Sequence, residues 1–149
     1  MNIRVTAYDT ALHGQLVDIW ERAVRATHHF LTEEDIDFYR TVVRGEALLA
    51  NVVWIAIGAE GQAVGFIGLA NSHVEMLFVD PVFHGQGIGK KLIQHAIGQV
   101  GPDISVDVNE QNEPAVLFYK RLGFKQVGRS DLDGSGRPFP LLHMKMISE

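Results

Sequence analysis

Apolar residues recur along this chain in two rhythms, one of period two and one of three to four, and the switches between them mark its elements. Ile3-Arg4-Val5-Thr6-Ala7-Tyr8 alternates apolar and polar side chains over most of its length, which predicts a half-buried first strand. Asp9 or Thr10 then caps a helix over about residues 11–25, whose buried face carries Leu12, Leu16, Ile19, Trp20 and Ala23. Residues 25–31 read as a connection. Thr32-Glu33-Glu34-Asp35 opens a second helix with acid in its first turn, and Ile36, Tyr39, Val42 and Val43 form its apolar face.

Residues 52–57 are a continuous apolar run, so the strand they form is covered on both faces. Glu60-Gly61-Gln62 turns the chain into a hairpin partner over residues 63–69, and Asn71-Ser72 breaks it again before a strand over residues 73–79. Alternation puts His73, Glu75, Leu77 and Val79 on one face of that strand, and Val74, Met76 and Phe78 on the other. A glycine-rich stretch follows. Ile88, Leu92, Ile93, Ala96, Ile97 and Val100 then define the buried stripe of a helix that stops at Gly101-Pro102. Residues 104–108 alternate as a strand, and Asn112 caps a helix with Pro114 in its first turn and Gly123 at its end. The tail reads as two strands, residues 125–128 and 140–146, about the turn Asp133-Gly134-Ser135-Gly136. No linker, repeat or low-complexity tract interrupts this order, which predicts one domain over residues 1–149.

The glycine-rich stretch, His84-Gly85-Gln86-Gly87-Ile88-Gly89-Lys90, lies between an apolar strand and a helix start. Glycines let backbone N–H groups approach a ligand, and the helix adds the positive end of its dipole, so the design suits a phosphate. Two familiar phosphate loops fail on spacing. A P-loop ending at Gly89-Lys90 needs glycine where His84 stands and Ser or Thr where Lys91 stands. A dinucleotide fingerprint begun at Gly85 or Gly87 needs glycine at Lys90 or Leu92. A turn with no ligand is the plainer alternative for such a short motif.

The spacing that does fit, with Gly87 and Gly89 in the two glycine positions, resembles the pyrophosphate loop of the GNAT superfamily of N-acetyltransferases. That loop is written Arg/Gln-x-x-Gly-x-Gly/Ala, and His84 stands here in the leading position. A second family motif lies downstream: Asn112, the run Leu117-Phe118-Tyr119 and the close Leu122-Gly123-Phe124 match the helix that GNAT enzymes carry after the loop. Within the superfamily, Trp20-Glu21, Ala26-Thr27-His28, Phe30-Leu31 and Asn109-Glu110-Gln111-Asn112 are similar to the small bacterial YjaB-type acetyltransferases. The resemblance implies an α/β fold: a mixed, mostly antiparallel central sheet with helices on both faces, and a splayed pair of strands at the acetyl-CoA cleft. It implies acetyl-CoA as co-substrate and no metal. The pyrophosphate is then held by the loop from His84 through Gly85, Gln86, Gly87, Ile88, Gly89 and Lys90, largely by main-chain N–H groups. Main-chain groups at Leu77, Phe78 and Val79 hold the thioester carbonyl and pantetheine, Asn109 and Asn112 bond the pantetheine arm, and Ala115 and Phe118 complete the cofactor surface. Tyr119 matches the family residue whose hydroxyl protonates the departing thiolate, an exchange between groups whose ordinary pKa values are about 10 and about 8.5.

Acetyl transfer to an amine needs a neutral amine, a stabilised oxyanion and a proton for the thiolate. Glu75 and His73, projecting together from the strand that enters the loop, are candidates to take a proton from the incoming ammonium. A solvated strand-edge charge and a satisfied wall residue are the alternatives for the two. The adjacent His28 and His29 do not share a helical face and have no third ligand at a metal-like spacing, so they read as surface loop.

Composition narrows the partners. A net charge of -5 argues against nucleic acid and mildly favours cationic acceptors, and the absence of cysteine excludes a thiolate nucleophile or zinc site. No long apolar run suggests a membrane segment, so a cytoplasmic protein, monomeric or homodimeric, is expected. The acceptor is an amine of a small molecule or a protein. Two other readings stay open: a sensor that binds acetyl-CoA without transferring its acetyl group, and a nucleotide enzyme, which ATP binding without acetyl-CoA binding would revive.

Overall fold

Seven strands hydrogen-bond into one sheet in the order β1-β2-β3-β4-β5-β7-β6 in the computed structural model, which describes residues 2–146. They are β1 (Arg4–Ala7), β2 (Val52–Ile57), β3 (Ala63–Ala70), β4 (His73–Val79), β5 (Ser105–Asn109), β6 (Phe124–Ser130) and β7 (Leu141–Met146). Every neighbouring pair is antiparallel except β4 and β5. That parallel pair joins only at His73↔Ser105 and Val74↔Val106, and beyond Val74 the two strands part, as the resemblance implies.

Five helices cover the sheet: α1 (His13–Thr27), α2 (Glu33–Val42), α3 (Leu48–Ala50), α4 (Ile88–Val100) and α5 (Glu113–Arg121). The Asp9 side chain accepts from the Ala11 N–H, but the turn it caps, Thr10–Leu12, is a 3₁₀ turn, and α1 proper starts at His13 and runs past Arg25 to Thr27. Thr32 and Asp35 form a reciprocal capping box at the start of α2. That helix continues past Val43 through a π-helical turn, Val43–Ala47, into the short α3, an extension the apolar spacing does not reveal.

The sheet buries a core on each face. Phe66 and Ile55 pack with Leu16, Ile19, Trp20 and Ile36 of α1 and α2, whereas Ile67 and Ala56 pack with Leu92, Ile93 and Ala96 of α4. Strands β2 and β3 serve both cores, which is why they read as unbroken apolar runs.

The simple alternation expected for β4 is corrected. Its register against β3 passes from Gly68↔Met76 to Leu69↔Val74, so Glu75 is the extra residue of a β-bulge. Val74 consequently shares the α4-side core with Leu77 and Val79, while Met76 and Phe78 face the α1 side. His73 and Glu75 do not continue the Leu77–Val79 face. The bulge has a packing cause: a Cβ at Gly68 would lie 2.6 Å from Cε of Met76, so the Met76 side chain fills the space glycine leaves open.

Candidate active site

The parting of β4 from β5 leaves β4 with backbone groups that no strand satisfies. In an antiparallel pair, successive residues turn their N–H and C=O groups alternately toward and away from the partner. The Asp80 N–H donates to the Val64 carbonyl at 2.9 Å, so Phe78 and Met76 share its side and face β3, and Leu77 and Val79 aim theirs into the gap. Such unpaired groups persist where water or a ligand meets them.

A cavity of about 480 Å³ occupies this gap. Its walls include Leu77, Phe78 and Val79 of β4, His84, Gly85 and Gly87 of the glycine loop, Ile88, Gly89 and Lys90 of α4, and Asn112, Ala115, Phe118 and Tyr119 of α5. The structure thus brings together most of the cofactor residues expected from sequence. Gln86 and Asn109 are not on its wall. Asn109 instead closes a local turn, its side-chain oxygen accepting from the Gln111 N–H at 2.9 Å.

Gly85 and Gly87 have φ of 79° and 78°, a left-handed backbone that strains any residue with a Cβ. Gly87 caps α4 without a side chain, and the first intrahelical bond runs from the Lys91 N–H to the Gly87 carbonyl. The N–H groups of Ile88, Gly89 and Lys90 are therefore left for an anion. Gly89 favours close packing instead: a Cβ there would stand 3.1 Å from Cζ of Phe118, so glycine lets α5 lie tight against the start of α4. His84 is exposed and its Nε2 lies 3.2 Å from the Val79 carbonyl, to which it donates. Ahead of the loop, Asp80 is buried, accepts from the Val82 N–H at 3.2 Å and pairs with Arg22 of α1 at 2.8 Å. Burial alone pushes the Asp80 carboxyl up, but the Arg22 and Val82 contacts outweigh it and hold the group below its ordinary value.

On α5, Asn112 accepts from the Ala115 N–H at 3.3 Å, and Tyr119 is buried against Phe118 and Phe124. Burial raises the Tyr119 phenol well above its ordinary value and keeps it protonated. Tyr119 lines the cavity, and among the described residues no hydrogen bond is made by its hydroxyl.

The two candidate bases are placed away from the cavity. His73 and Glu75 do not line the cavity. Glu75 is exposed at the bulge. His73 has Nδ1 2.7 Å from the Ser105 hydroxyl and Nε2 3.4 Å from the Asp107 carboxylate. Asp107 also accepts from His143 Nδ1 at 2.6 Å, and His143 Nε2 meets the Ser130 hydroxyl at 2.5 Å. Both ring nitrogens of His73 are thus engaged in a chain across β4, β5, β7 and β6. The loop reading of His28 and His29 is half corrected: His29 is exposed, but His28 lines the cavity with Ala23, Thr27, Phe83 and Pro114. Sequence reasoning missed these five. The segment containing Thr27 and His28 carried a signal only in its likeness to YjaB-type enzymes. Above it, Phe30 stacks near Phe139 at 5.6 Å, Arg137 donates to Asp35 at 2.7 Å and lies 3.8 Å over the Phe38 ring, and the Tyr39 hydroxyl donates to Asp133. The β6–β7 loop is strapped to α2 by these contacts.

Residues 30–147 match the model of the Acetyltransferase (GNAT) domain. The chain is 43% identical over 133 residues to the peptidyl-lysine N-acetyltransferase YjaB of Escherichia coli, covering 89% of each, and 40% identical over 147 residues to that of Salmonella typhimurium, covering 97% of each. The solution structure of apo YjaB from Escherichia coli superposes with a TM-score of 0.91 at 40% identity over 100% of both chains. The PaiA N-acetyltransferase of Thermoplasma acidophilum, in complex with coenzyme A, shares the fold with a TM-score of 0.76 at 22% identity, over 99% of this chain and 100% of that one. Fold and relatives define an enzyme, an acyltransferase. The chain belongs to the GNAT family of N-acetyltransferases.

Proposed function

We propose that this protein moves the acetyl group of acetyl-CoA directly onto a primary amine, with protein lysine side chains as the acceptor class. The observation that carries this reading is one continuous cavity with free N–H groups of α4 at one part of its wall and the Tyr119 hydroxyl at another. Its parts fit an acyl carrier that bears pyrophosphate at one end and a thioester at the other. The lysine acceptor is supported by the activity named for the relatives at 40% and 43% identity.

In this reading the chain acts as one domain, in the cytoplasm where the co-substrate is made. The N–H groups at the start of α4 and at Gly85 and Gly87 hold the pyrophosphate. The Leu77 and Val79 N–H groups bond the pantetheine arm and the negative charge that develops on the thioester oxygen, and Asn112, Ala115 and Phe118 hold the arm from α5. Tyr119 gives its proton to the leaving sulfur. A phenol with a raised pKa suits this task because the same apolar wall raises the thiol it protonates, so their order is preserved. Glu75, exposed at the bulge, takes the first proton from the arriving ammonium directly or through water, and the His73 chain lends it a second route. No covalent intermediate on the enzyme is required.

The test is release of coenzyme A by the purified protein with acetyl-CoA and a lysine-containing peptide, with the product mass measured. Acetylation of the lysine nitrogen is expected. Binding of acetyl-CoA with no transfer to any amine would favour the sensor reading instead.

A further inference from the structure

A free lone pair stands on the cavity wall where neither the glycine loop nor the α5 motif would place one. The Thr27 hydroxyl has a single proton, and it donates that proton to the Ala23 carbonyl at 2.8 Å, as helical threonines do. The same oxygen lies 2.8 Å from Nδ1 of His28 and can only accept there. The proton of the neutral imidazole is therefore on Nδ1, and Nε2 carries the lone pair. Among the described residues Nε2 has no hydrogen-bond partner, and His28 and Thr27 share the cavity wall with Phe78 and Tyr119. The other histidine of the cavity, His84, donates from Nε2 to the Val79 carbonyl and so keeps its lone pair on Nδ1, but it is exposed on the glycine loop rather than at the end of α1. His73 and His143 are tied at both nitrogens.

We infer that His28 is a further catalytic residue of the proposed acetyl transfer: its Nε2 accepts a hydrogen bond from the acceptor amine and takes the amine proton as the new bond forms. This rests on the acyl-transfer reading above and adds a residue to it. The position suits the task, since His28 ends α1 beside Phe30, and Phe30 meets Phe139 of the loop strapped over this side of the sheet. Burial, with the neighbouring His29 charge second, lowers the imidazole to about 4, so it stays neutral at working pH and never meets the incoming ammonium as a second cation. The step balances. The neutral amine nitrogen bonds to the thioester carbonyl carbon, the carbon–sulfur pair leaves on sulfur, His28 Nε2 takes one amine proton, and sulfur takes the Tyr119 proton. Solvent then returns the His28 proton to Tyr119, and the products are an amide and a free thiol.

Three measurements test it on the full chain. In the free enzyme, ¹⁵N shifts of the His28 ring between about pH 5.5 and 8 are expected to show the neutral Nδ1–H tautomer; an Nε2–H tautomer would overturn the assignment. His28→Ala and His28→Gln are expected to bind acetyl-CoA within about threefold of wild type yet lose about a hundredfold in kcat/KM for a lysine peptide, the scale of a lost general base. Added imidazole should restore part of the His28→Ala activity and none of the His28→Gln activity, whose amide fills the space. Near-normal turnover in both variants, or acetyl-CoA affinity falling in step with turnover, would overturn the role and leave His28 a wall of the pantetheine channel. A wild type that binds acetyl-CoA but acetylates no amine would overturn the acyl-transfer reading itself, and this one with it.

Discussion

The two halves of the cavity are built in opposite ways. The half proposed for the cofactor joins a strand end and six loop and helix residues close in sequence to one short helix, and it offers mostly backbone N–H groups. The half proposed for the acceptor is a side-chain surface from a distant segment, Ala23, Thr27 and His28 at the end of α1, with the β6–β7 loop strapped to α2 nearby by Arg137–Asp35. Backbone groups are held by secondary structure and tolerate side-chain change. Side-chain surfaces depend on packing among segments and can vary one residue at a time. The difference implies that cofactor affinity and acceptor choice can be broken separately.

The largest separation is expected at Gly87. A valine there is forced to a φ of 78°, so the loop must rearrange and withdraw its N–H groups from the pyrophosphate. Losing two charge-assisted hydrogen bonds costs about 3 kcal/mol or more, a loss of more than about a hundredfold in acetyl-CoA affinity by calorimetry. The fold should survive, since a Cβ at Gly87 meets nothing within 4 Å. Unchanged affinity would remove the loop from the cofactor site.

The converse is expected at Arg137. Its removal frees the β6–β7 loop from Asp35 and Phe38, so Arg137→Ala should raise KM for a lysine peptide about fivefold while acetyl-CoA affinity stays put. Equal losses in both would show that the halves are one unit. A smaller effect concerns stability at the seam. Because the Asp80 carboxyl is held below its ordinary value, the unfolded chain binds the proton more tightly, and the ion pair with half-exposed Arg22 stabilises the fold fully only above about pH 4. Asp80→Asn should therefore cost about 1 kcal/mol at pH 7 in denaturant melts, with the gap closing as pH falls below about 4. A gap that persists at low pH would mean the loss is one of packing. The least change is expected at His84, whose Nε2 serves the Val79 carbonyl. His84→Gln should alter acetyl-CoA affinity by less than about threefold at any pH, and a steep loss would give this side chain a direct part in phosphate binding.

The same contrast explains what could be read from the chain. The order of elements along the chain, the glycine loop, the Asn112 cap and the place of Tyr119 were legible, because each is a local pattern or a motif of fixed spacing, whereas the splayed cleft came only with the family resemblance. The face assigned to His73 and Glu75 was not. Strict alternation assumes an unbroken register, and the bulge at Glu75 is set by the partner strand, where Gly68 admits the Met76 side chain. The cavity role of His28 was equally hidden, since adjacent histidines at a helix end look like any surface pair until the sheet is beneath them. The π-helical turn at Val43–Ala47 escaped because tertiary packing carries it past Gly45, a weak helix former. Asn109 was placed with the pantetheine by the resemblance, and it lies off the cavity wall with its side-chain oxygen accepting from the Gln111 N–H.

Tyr119 offers the most direct test of an acetyl transfer carried out in this cavity. Tyr119→Phe keeps the ring against Phe118 and Phe124 and removes one proton. The measurement is kcat with a lysine peptide together with the dissociation constant for acetyl-CoA, for wild type and variant. A fall in kcat of about a hundredfold or more with the dissociation constant unchanged is the predicted result, the scale of a lost general acid. Near-normal turnover in the variant would contradict it and make the tyrosine a core residue beside a cavity that works by other means.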